Sequence, residues 1–149
     1  MKSILLAGVG VISGALAASA GELVVKPSAH SVTDTINRLE AAVEKAGAKV
    51  FARVDHAKGA DSVGSELPPN QMLMFGNPKL GTPAMQAGAS MGLDLPIRVV
   101  AYEDADGKVH VAYHDPASVA ALHGIPADHP VIAKMTGALG KLTGVATAE

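Results

Sequence analysis

The pair Asp55-His56 is the part of this sequence best suited to proton transfer. A histidine titrates near neutral pH, and a carboxylate beside it can orient the imidazole ring for general acid/base catalysis. The alternative is structural: Asp55 caps a following helix, and His56 packs over its first turn. We favour the cap, because aspartate is a preferred N-cap residue and adjacent side chains on a strand point apart. Ser62 and Ser65 lie nearby, but neither is in a Gly-x-Ser-x-Gly pattern.

Residues 76–83 form a second candidate, with the sequence Gly-Asn-Pro-Lys-Leu-Gly-Thr-Pro. Two glycines, two prolines and an asparagine after an apolar run predict a loop from a strand into a helix, with Thr82 as the N-cap and Pro83 as the first helical residue. Backbone N–H groups at the helix start, the Thr82 hydroxyl and the Lys79 ammonium can together hold a small anion. Asn77 and Gly81 belong to the same predicted site. A purely structural turn is the alternative, and we favour it.

The glycine spacing of this loop resembles that of a nucleotide-binding P-loop, but the lysine is misplaced. A P-loop carries its lysine immediately before the Ser or Thr, where it reaches the terminal phosphates. Gly81 occupies that position here, and Lys79 lies two residues earlier. Nucleotide hydrolysis is therefore not predicted.

Six histidines and six methionines suggest a comparison with exported copper and zinc proteins. His110 and His114 are about 13 Å apart if both lie on one strand, which is too far to bind one ion. Met72 and Met74 are about 7 Å apart on a strand, but methionine among aliphatic residues usually packs in the core. We predict no metal site, and copper or zinc handling by His and Met stays an alternative function.

The N-terminus has the pattern of a signal peptide over residues 1–20. Lys2 precedes an apolar stretch at residues 4–16, and Ala18-Ser19-Ala20 is typical of a cleavage site. The apolar stretch is shorter than the roughly 20 residues of a spanning helix, so we expect cleavage after Ala20 and no stable membrane insertion afterwards. The predicted location is the periplasm or the medium. The absence of cysteine excludes disulfides and thiol chemistry.

Composition limits the partners. The net charge is −2 with no basic cluster, and aromatic residues make up only 3% of the chain. Nucleic-acid binding is not expected, because it needs cationic surface and stacking side chains. The length predicts one domain, residues 21–126, followed by a weakly helical tail at residues 127–149 that frays.

Apolar periodicity predicts mixed secondary structure. The predicted strands lie at residues 22–26, 48–54, 71–75, 95–103 and 108–113, and the predicted helices at residues 32–46, 57–64, 83–91 and 116–123. Asp104-x-Asp106-Gly107 predicts a hairpin turn rather than a calcium loop. One clear hairpin and few long helices predict a two-layer α+β fold: a largely antiparallel sheet of about five strands with helices mainly on one face.

The other sheet face is then open to water, a ligand or a second subunit. Alternation predicts that Arg53, Arg98 and Tyr102 lie on that face. The apolar neighbours expected to share it are Leu73, Phe75 and Val100. Such a mixture suits a homodimer interface.

Several short motifs occur together in order. They are Phe51-Ala-Arg-Val-Asp55-His56, Phe75-Gly-Asn-Pro-Lys79 with Gly81-Thr82-Pro83, Leu95-Pro96, Asp106-Gly107-Lys108 and Tyr113-x-Asp115-Pro116. The set resembles the domain of unknown function 302 family over about residues 23–125. The resemblance implies a TATA-box-binding-protein-like architecture, with a curved antiparallel sheet, helices on one side and often a dimer. The family's activity is not established, so the resemblance supplies neither catalytic residues nor a cofactor.

Together these patterns favour an exported, non-catalytic domain that binds a small ligand or a protein partner, as a homodimer. The predicted ligand-binding residues are Asp55, His56, Asn77, Lys79, Gly81 and Thr82, and a small anion is the candidate ligand. An enzyme with His56 as acid/base and Lys79 as anion clamp is a further alternative.

Overall fold

The computed structural model describes residues 22–149, and the predicted signal peptide lies outside the described residues. The described part of the chain contains five strands: β1 (Leu23–Pro27), β2 (Lys49–Asp55), β3 (Asn70–Gly76), β4 (Ile97–Glu103) and β5 (Val109–His114). They form one sheet in the order β1-β5-β4-β3-β2, in which every neighbouring pair is antiparallel. The helices are α1 (Val32–Lys45), α2 (His56–Asp61), α3 (Pro78–Ala87), α4 (Pro116–Leu122) and α5 (Pro130–Thr147), with a 3₁₀ helix at Ala89–Leu93.

Helix α1 forms where the sequence predicts it. The Ser31 hydroxyl accepts the N–H of Asp34 at 3.1 Å and donates to the Asp34 carboxylate at 2.8 Å, which caps the N-terminus. Gly47 takes a φ of 75° and ends the helix. Apolar residues three or four positions apart form its buried face, namely Val32, Ile36, Leu39 and Val43.

The main core lies between the sheet and helices α1 and α5. The strand residues buried there come from alternate positions, namely Leu73, Phe75, Val99, Ala101, Val111 and Tyr113. The α+β class, with one antiparallel sheet covered by helices mainly on one face, is confirmed.

Three residues expected on the outer face lie on the helix side instead. Leu73 and Phe75 are 0% and 3% exposed. Met72 and Met74, which alternate with them along β3, are also apolar, so alternation alone could not tell which set faces the helices. Arg53 was misplaced for another reason: the pairing of β2 with β3 shifts register around residue 51. This irregularity puts Arg53 opposite Leu73 and reverses the alternation.

The C-terminal segment differs from the expected fraying tail. Helix α5 runs for 18 residues and packs against α1, α3 and α4. Its buried residues are Val131, Ile132, Met135, Leu139, Thr143 and Ala146. The Lys26 ammonium also donates to the carbonyl of Gly140 at 3.1 Å and to the Thr143 hydroxyl at 2.8 Å. Glycines lower the intrinsic helix propensity of this segment, but tertiary packing stabilises it.

A second buried cluster lies between α3, the 3₁₀ helix, α4 and the first half of α5. It contains Ala84, Met91, Val119, Ala120, Ile125, Val131, Ile132 and Met135. Within residues 22–149, none of the helices has the length and apolar character needed to span a bilayer.

Candidate functional site

Helix α3 begins at Pro78, five residues before the predicted start at Pro83. Asn77 is the N-cap: its Oδ1 accepts the Lys79 N–H at 3.0 Å, and its Nδ2 donates to the carbonyl of Gly47 at 3.4 Å. The prediction of Thr82 as N-cap was wrong, because Asn77-Pro78 offers an equally good cap and first residue. Thr82 and Pro83 lie inside the helix.

This earlier start removes the donors expected to bind a small anion. Pro78 has no N–H, and the Lys79 N–H is bonded to the Asn77 side chain. The N–H groups of Leu80 and Gly81 both donate to the Asn77 carbonyl at 2.9 Å. The first turn of α3 therefore has its backbone donors already satisfied, and the Lys79 side chain lies exposed on the helix surface.

Asp55 and His56 lie at the opposite end of the sheet from α3. Gly76 pairs with Lys49, whereas Asp55 pairs with Gln71, so β2 separates the two candidates by roughly 20 Å. The Asp55 carboxylate accepts the Lys58 N–H at 3.0 Å, which confirms Asp55 as the N-cap of α2. His56 is the exposed first residue of that helix. The six predicted site residues therefore do not meet in one place.

A cavity of about 430 Å³ lies beside the start of α3. It is bounded by the end of the sheet, the residues after α1, helix α3 and one side of α5. The apolar side chains that line it are Ala46, Ala48, Phe51, Phe75, Pro78, Leu80, Met85, Leu95, Pro96, Ile97, Met135, Ala138, Leu139 and Leu142. The polar side chains on its walls are Asn77 and Thr82, and no charged side chain of the described residues lines it.

Three of the predicted residues, Asn77, Gly81 and Thr82, line this cavity, whereas Asp55, His56 and Lys79 do not. Gly81 and Leu95 are adjacent on its wall: a Cβ at Gly81 would lie 3.7 Å from Leu95 Cδ1, an ordinary contact distance. A larger side chain at this position would therefore occupy cavity volume.

The Lys49 side chain lies beside a residue of the cavity wall. The Lys49 ammonium is 5.3 Å from the centre of the Phe51 ring, within the range of a cation–π interaction. Phe51 lines the cavity and is half exposed to solvent. The cavity thus combines apolar walls with a positive charge beside an exposed part of its lining.

The two histidines considered as metal ligands, His110 and His114, differ in their surroundings. His110 Nε2 lies 2.7 Å from the Asp104 carboxylate and its ring packs against Tyr102, and His114 is exposed. Among residues 22–149, no group of three or more His, Cys, Asp or Glu side chains is arranged to hold a metal ion. Hydrogen bonds to the Asp104 carboxylate lower its pKa, and the bond from the Lys108 N–H has a larger effect than the bond with the His110 side chain.

Residues 24–142 match the family model described as Domain of unknown function DUF302, and the chain belongs to this family. The match continues into α5, beyond the predicted domain end at residue 126. The crystal structure of an uncharacterized conserved protein DUF302 from Bacillus stearothermophilus has the same fold. Its TM-score is 0.75 with 18% identity, over 83% of this chain and 97% of that chain.

Curated relatives share a higher identity. The chain is 46% identical over 117 residues to Fluoride-specific ion channel FluC 1 of Brucella suis biovar 1 (strain 1330) and to Fluoride-specific ion channel FluC 1 of Brucella abortus biovar 1 (strain 9-941). These matches cover 77% of this chain but only 46% and 43% of the relatives. The chain therefore spans less than half the length of the curated relatives that it matches.

Proposed function

We propose that this protein is an exported binding domain that holds a small apolar ligand in the cavity beside α3. The observation that carries the proposal is the cavity itself, about 430 Å³ with almost entirely apolar side chains on its walls. Ligand sites typically measure about 300–1,000 Å³ and place a few polar groups on apolar walls. Burial of apolar ligand surface contributes about 25 cal/mol per Å². Export rests on the sequence pattern of residues 1–20.

The ligand class follows from the charge beside the cavity. An apolar chain fits the walls, and an anionic end group would lie near the Lys49 ammonium at the exposed Phe51 ring. We therefore place the anionic part of the ligand at Lys49 rather than at the start of α3, where the N–H groups are already bonded. Medium-chain carboxylates such as decanoate have this chemistry.

Calorimetric titration of the mature chain, from residue 21, with decanoate, decanol and decyltrimethylammonium tests both parts. We expect decanoate and decanol to bind, with decanoate about two- to fivefold tighter, because an exposed charge pair contributes up to about 1 kcal/mol. Lys49→Gln should remove that difference, whereas Lys58→Gln, in α2 at the other end of the sheet, should not. Failure of all three compounds to bind would contradict the proposed function, whereas equal binding would contradict only the role of Lys49.

A cavity-filling variant tests the location. Gly81 and Gly59 both lie inside helices, but only Gly81 lines the cavity, and a Cβ at Gly59 would meet no atom within 4 Å. We expect Gly81→Leu to weaken decanoate binding at least tenfold and Gly59→Leu to leave it unchanged. Equal affinities of the two variants would place the ligand elsewhere.

A homodimer is proposed through the outer face of the sheet. Leu23 and Val25 are 54% and 47% exposed there, and Met72, Met74 and Val100 are partly buried. The outer face of a sheet of five strands of this length covers an area of roughly 500 Å² per copy. This area is at the low end for a specific interface and predicts a weak dimer. Sedimentation should show a monomer–dimer equilibrium that Val25→Lys shifts to monomer. A monomer at every concentration up to the millimolar range would exclude it.

The relatives favour a second candidate function. In them a segment similar to this chain is part of a longer protein named as a fluoride-specific ion channel. We propose that the shared domain assists a fluoride-handling membrane protein, whether joined to it or separate. Deletion of the gene should then increase sensitivity of growth to fluoride, and the gene in trans should restore resistance. Unchanged fluoride sensitivity would exclude this role.

A further inference from the structure

We infer that Ser90, His123 and Asp94 form a nucleophilic site for acyl transfer, separate from the side chains that line the cavity. The Ser90 hydroxyl lies 2.9 Å from His123 Nδ1, and His123 Nε2 lies 2.7 Å from the Asp94 carboxylate. A hydroxyl, an imidazole and a carboxylate linked in this order are the elements of a catalytic triad, which is recognised by geometry and roles rather than by position in the chain.

The hydrogen bonds define where the protons lie. A carboxylate only accepts, so Nε2 of His123 carries a proton and donates it to Asp94. In the neutral imidazole Nδ1 then has a lone pair, and Ser90 donates its hydroxyl proton to it. His123 is thus positioned as the general base for Ser90. The two ring nitrogens are exchanged relative to chymotrypsin-like enzymes, but either nitrogen can accept a proton.

The glycine before the serine allows this arrangement. Residues 88–92 read Gly-Ala-Ser-Met-Gly, a Gly-x-Ser-x-Gly pattern centred on Ser90. In α/β-hydrolases this pattern forms a turn from a strand into a helix, whereas here it runs from the end of α3 into the 3₁₀ helix. Here a Cβ at Gly88 would lie 2.9 Å from Ile125 Cγ1 and 3.0 Å from the His123 carbonyl. Glycine at position 88 therefore permits the close approach that brings Ser90 to His123.

The three side chains are held by packed structure on both sides. Ser90 lies in the 3₁₀ helix, Asp94 is its C-cap, and His123 is the C-cap of α4. Met91 and Ile125, next to these residues, are both 2% exposed in the second buried cluster. The site is therefore preorganised by its neighbours rather than carried on a loose loop.

The solvent exposure of the three hydrogen-bonded side chains suits a serine that acts as a nucleophile. The His123 side chain is 7% exposed and that of Asp94 is 24% exposed, whereas Ser90 is exposed. The base is shielded from water, and the hydroxyl is open to a substrate.

The chemistry is hydrolysis of an ester. The Ser90 oxygen bonds to the carbonyl carbon, and its proton moves to His123 Nδ1. The bond from that carbon to the alcohol oxygen breaks, and the departing alcohol takes the proton. Water then bonds to the acyl carbon and gives one proton to His123, the bond to Ser90 breaks, and the Ser90 oxygen recovers the proton. Ester and water give acid and alcohol, with no oxidation or reduction.

The hydrogen bonding around Ser90 also limits which substrates the site can attack. An oxyanion-hole donor contributes about 10²- to 10³-fold to kcat. The N–H of Met91, which follows the nucleophile, already donates to the Gly88 carbonyl at 2.9 Å. We therefore expect reaction with activated esters such as p-nitrophenyl acetate and with fluorophosphonates, which lose fluoride as the oxygen bonds to phosphorus.

The test is labelling of the mature chain with an alkyl fluorophosphonate, with the modified residue located by mass spectrometry. We expect the label on Ser90, no labelling of Ser90→Ala, and at least tenfold slower labelling of Asp94→Asn. Ser62→Ala is the control, because Ser62 is an exposed serine whose hydroxyl donates to the Gly59 carbonyl rather than to a histidine. Location of the label on the unaltered chain does not depend on the folding of any variant. A label on another serine, or equal labelling of the unaltered chain and Ser90→Ala, would overturn the proposal and leave a purely structural link between the 3₁₀ helix and α4.

Discussion

The carboxylate of Asp55 illustrates how strongly residue type predicts local structure. Aspartate before a polar stretch predicts an N-cap, and Asp55 bonds the Lys58 N–H as expected. Ser90 illustrates a contact that residue type does not predict. Its Gly-x-Ser-x-Gly pattern is visible in the sequence, but its partner His123 lies 33 positions away and is brought near only by packing. Local bonds can be predicted from neighbours in sequence, whereas contacts between distant residues cannot.

Asp104 has the clearest electrostatic role in the hairpin between β4 and β5. Its Oδ1 accepts the N–H groups of Asp106 and Lys108, both at 2.9 Å, and Oδ2 lies 2.7 Å from His110 Nε2. These bonds, that of Lys108 first, hold the pKa of Asp104 below its ordinary value of 3.8. The folded state thus binds this proton less tightly than the unfolded chain, so the stabilisation is complete at neutral pH and is lost as the pH falls through the lowered pKa.

Asp104→Asn should therefore lower the free energy of unfolding at pH 7, and the difference from the unaltered protein should shrink below about pH 3.8. Urea unfolding at pH 7 and at pH 3 measures it. Exposed Asp106 provides the control, since Asp106→Asn should show little effect at either pH. A difference for Asp104→Asn that is as large at pH 3 as at pH 7 would exclude the ionised carboxylate as its source.

The sequence predicted whether each segment is a helix or a strand better than it predicted where the helix or strand begins and which way its residues face. Helix α3 exists as predicted, but two Asn/Thr-Pro pairs compete for its start, and the structure uses Asn77-Pro78. In β2 a single irregularity around residue 51 reverses the faces of all later residues. Neither choice is encoded in local pattern, because both depend on what the neighbouring elements contact.

The start of α3 can be tested by comparing its two candidate caps. Asn77→Ala should lower the free energy of unfolding by about 1 kcal/mol, because it removes the bond to the Lys79 N–H. Thr82→Ala, inside the helix, should change it by less than about 0.5 kcal/mol. Chemical denaturation of both variants measures these values. The reverse order would restore Thr82 as the cap.

Helix α5 gives the second test at this scale. Leu139 is buried in the main core, so Leu139→Ala should cost about 2–5 kcal/mol. Lys141 in the same helix is exposed, and Lys141→Ala should stay within about 0.5 kcal/mol. If Leu139→Ala unfolds in urea at the same midpoint as Lys141→Ala, α5 does not contribute to the core.

For the whole molecule, the ordered motifs and the hairpin predicted the family and the fold class, and the family match and the antiparallel sheet confirm them. The cavity could not be predicted in the same way. Its walls come from segments between residues 46 and 142 that meet only in the folded chain. The sequence predicted a small-anion site at residues 76–83, and Asn77, Gly81 and Thr82 from that segment do line the cavity. The apolar residues of the other walls look in sequence like ordinary core residues.

Methyl NMR of residues 21–149 with ¹³C-labelled methionine tests the binding role of the cavity most directly. Met85 and Met135 line the cavity, whereas Met72 and Met74 lie on the outer sheet face as internal controls. On titration with decanoate, we predict saturable shifts of the Met85 and Met135 methyl signals and none for Met72 or Met74. Unchanged Met85 and Met135 signals at millimolar decanoate, or shifts confined to Met72 and Met74, would contradict a ligand site in the cavity.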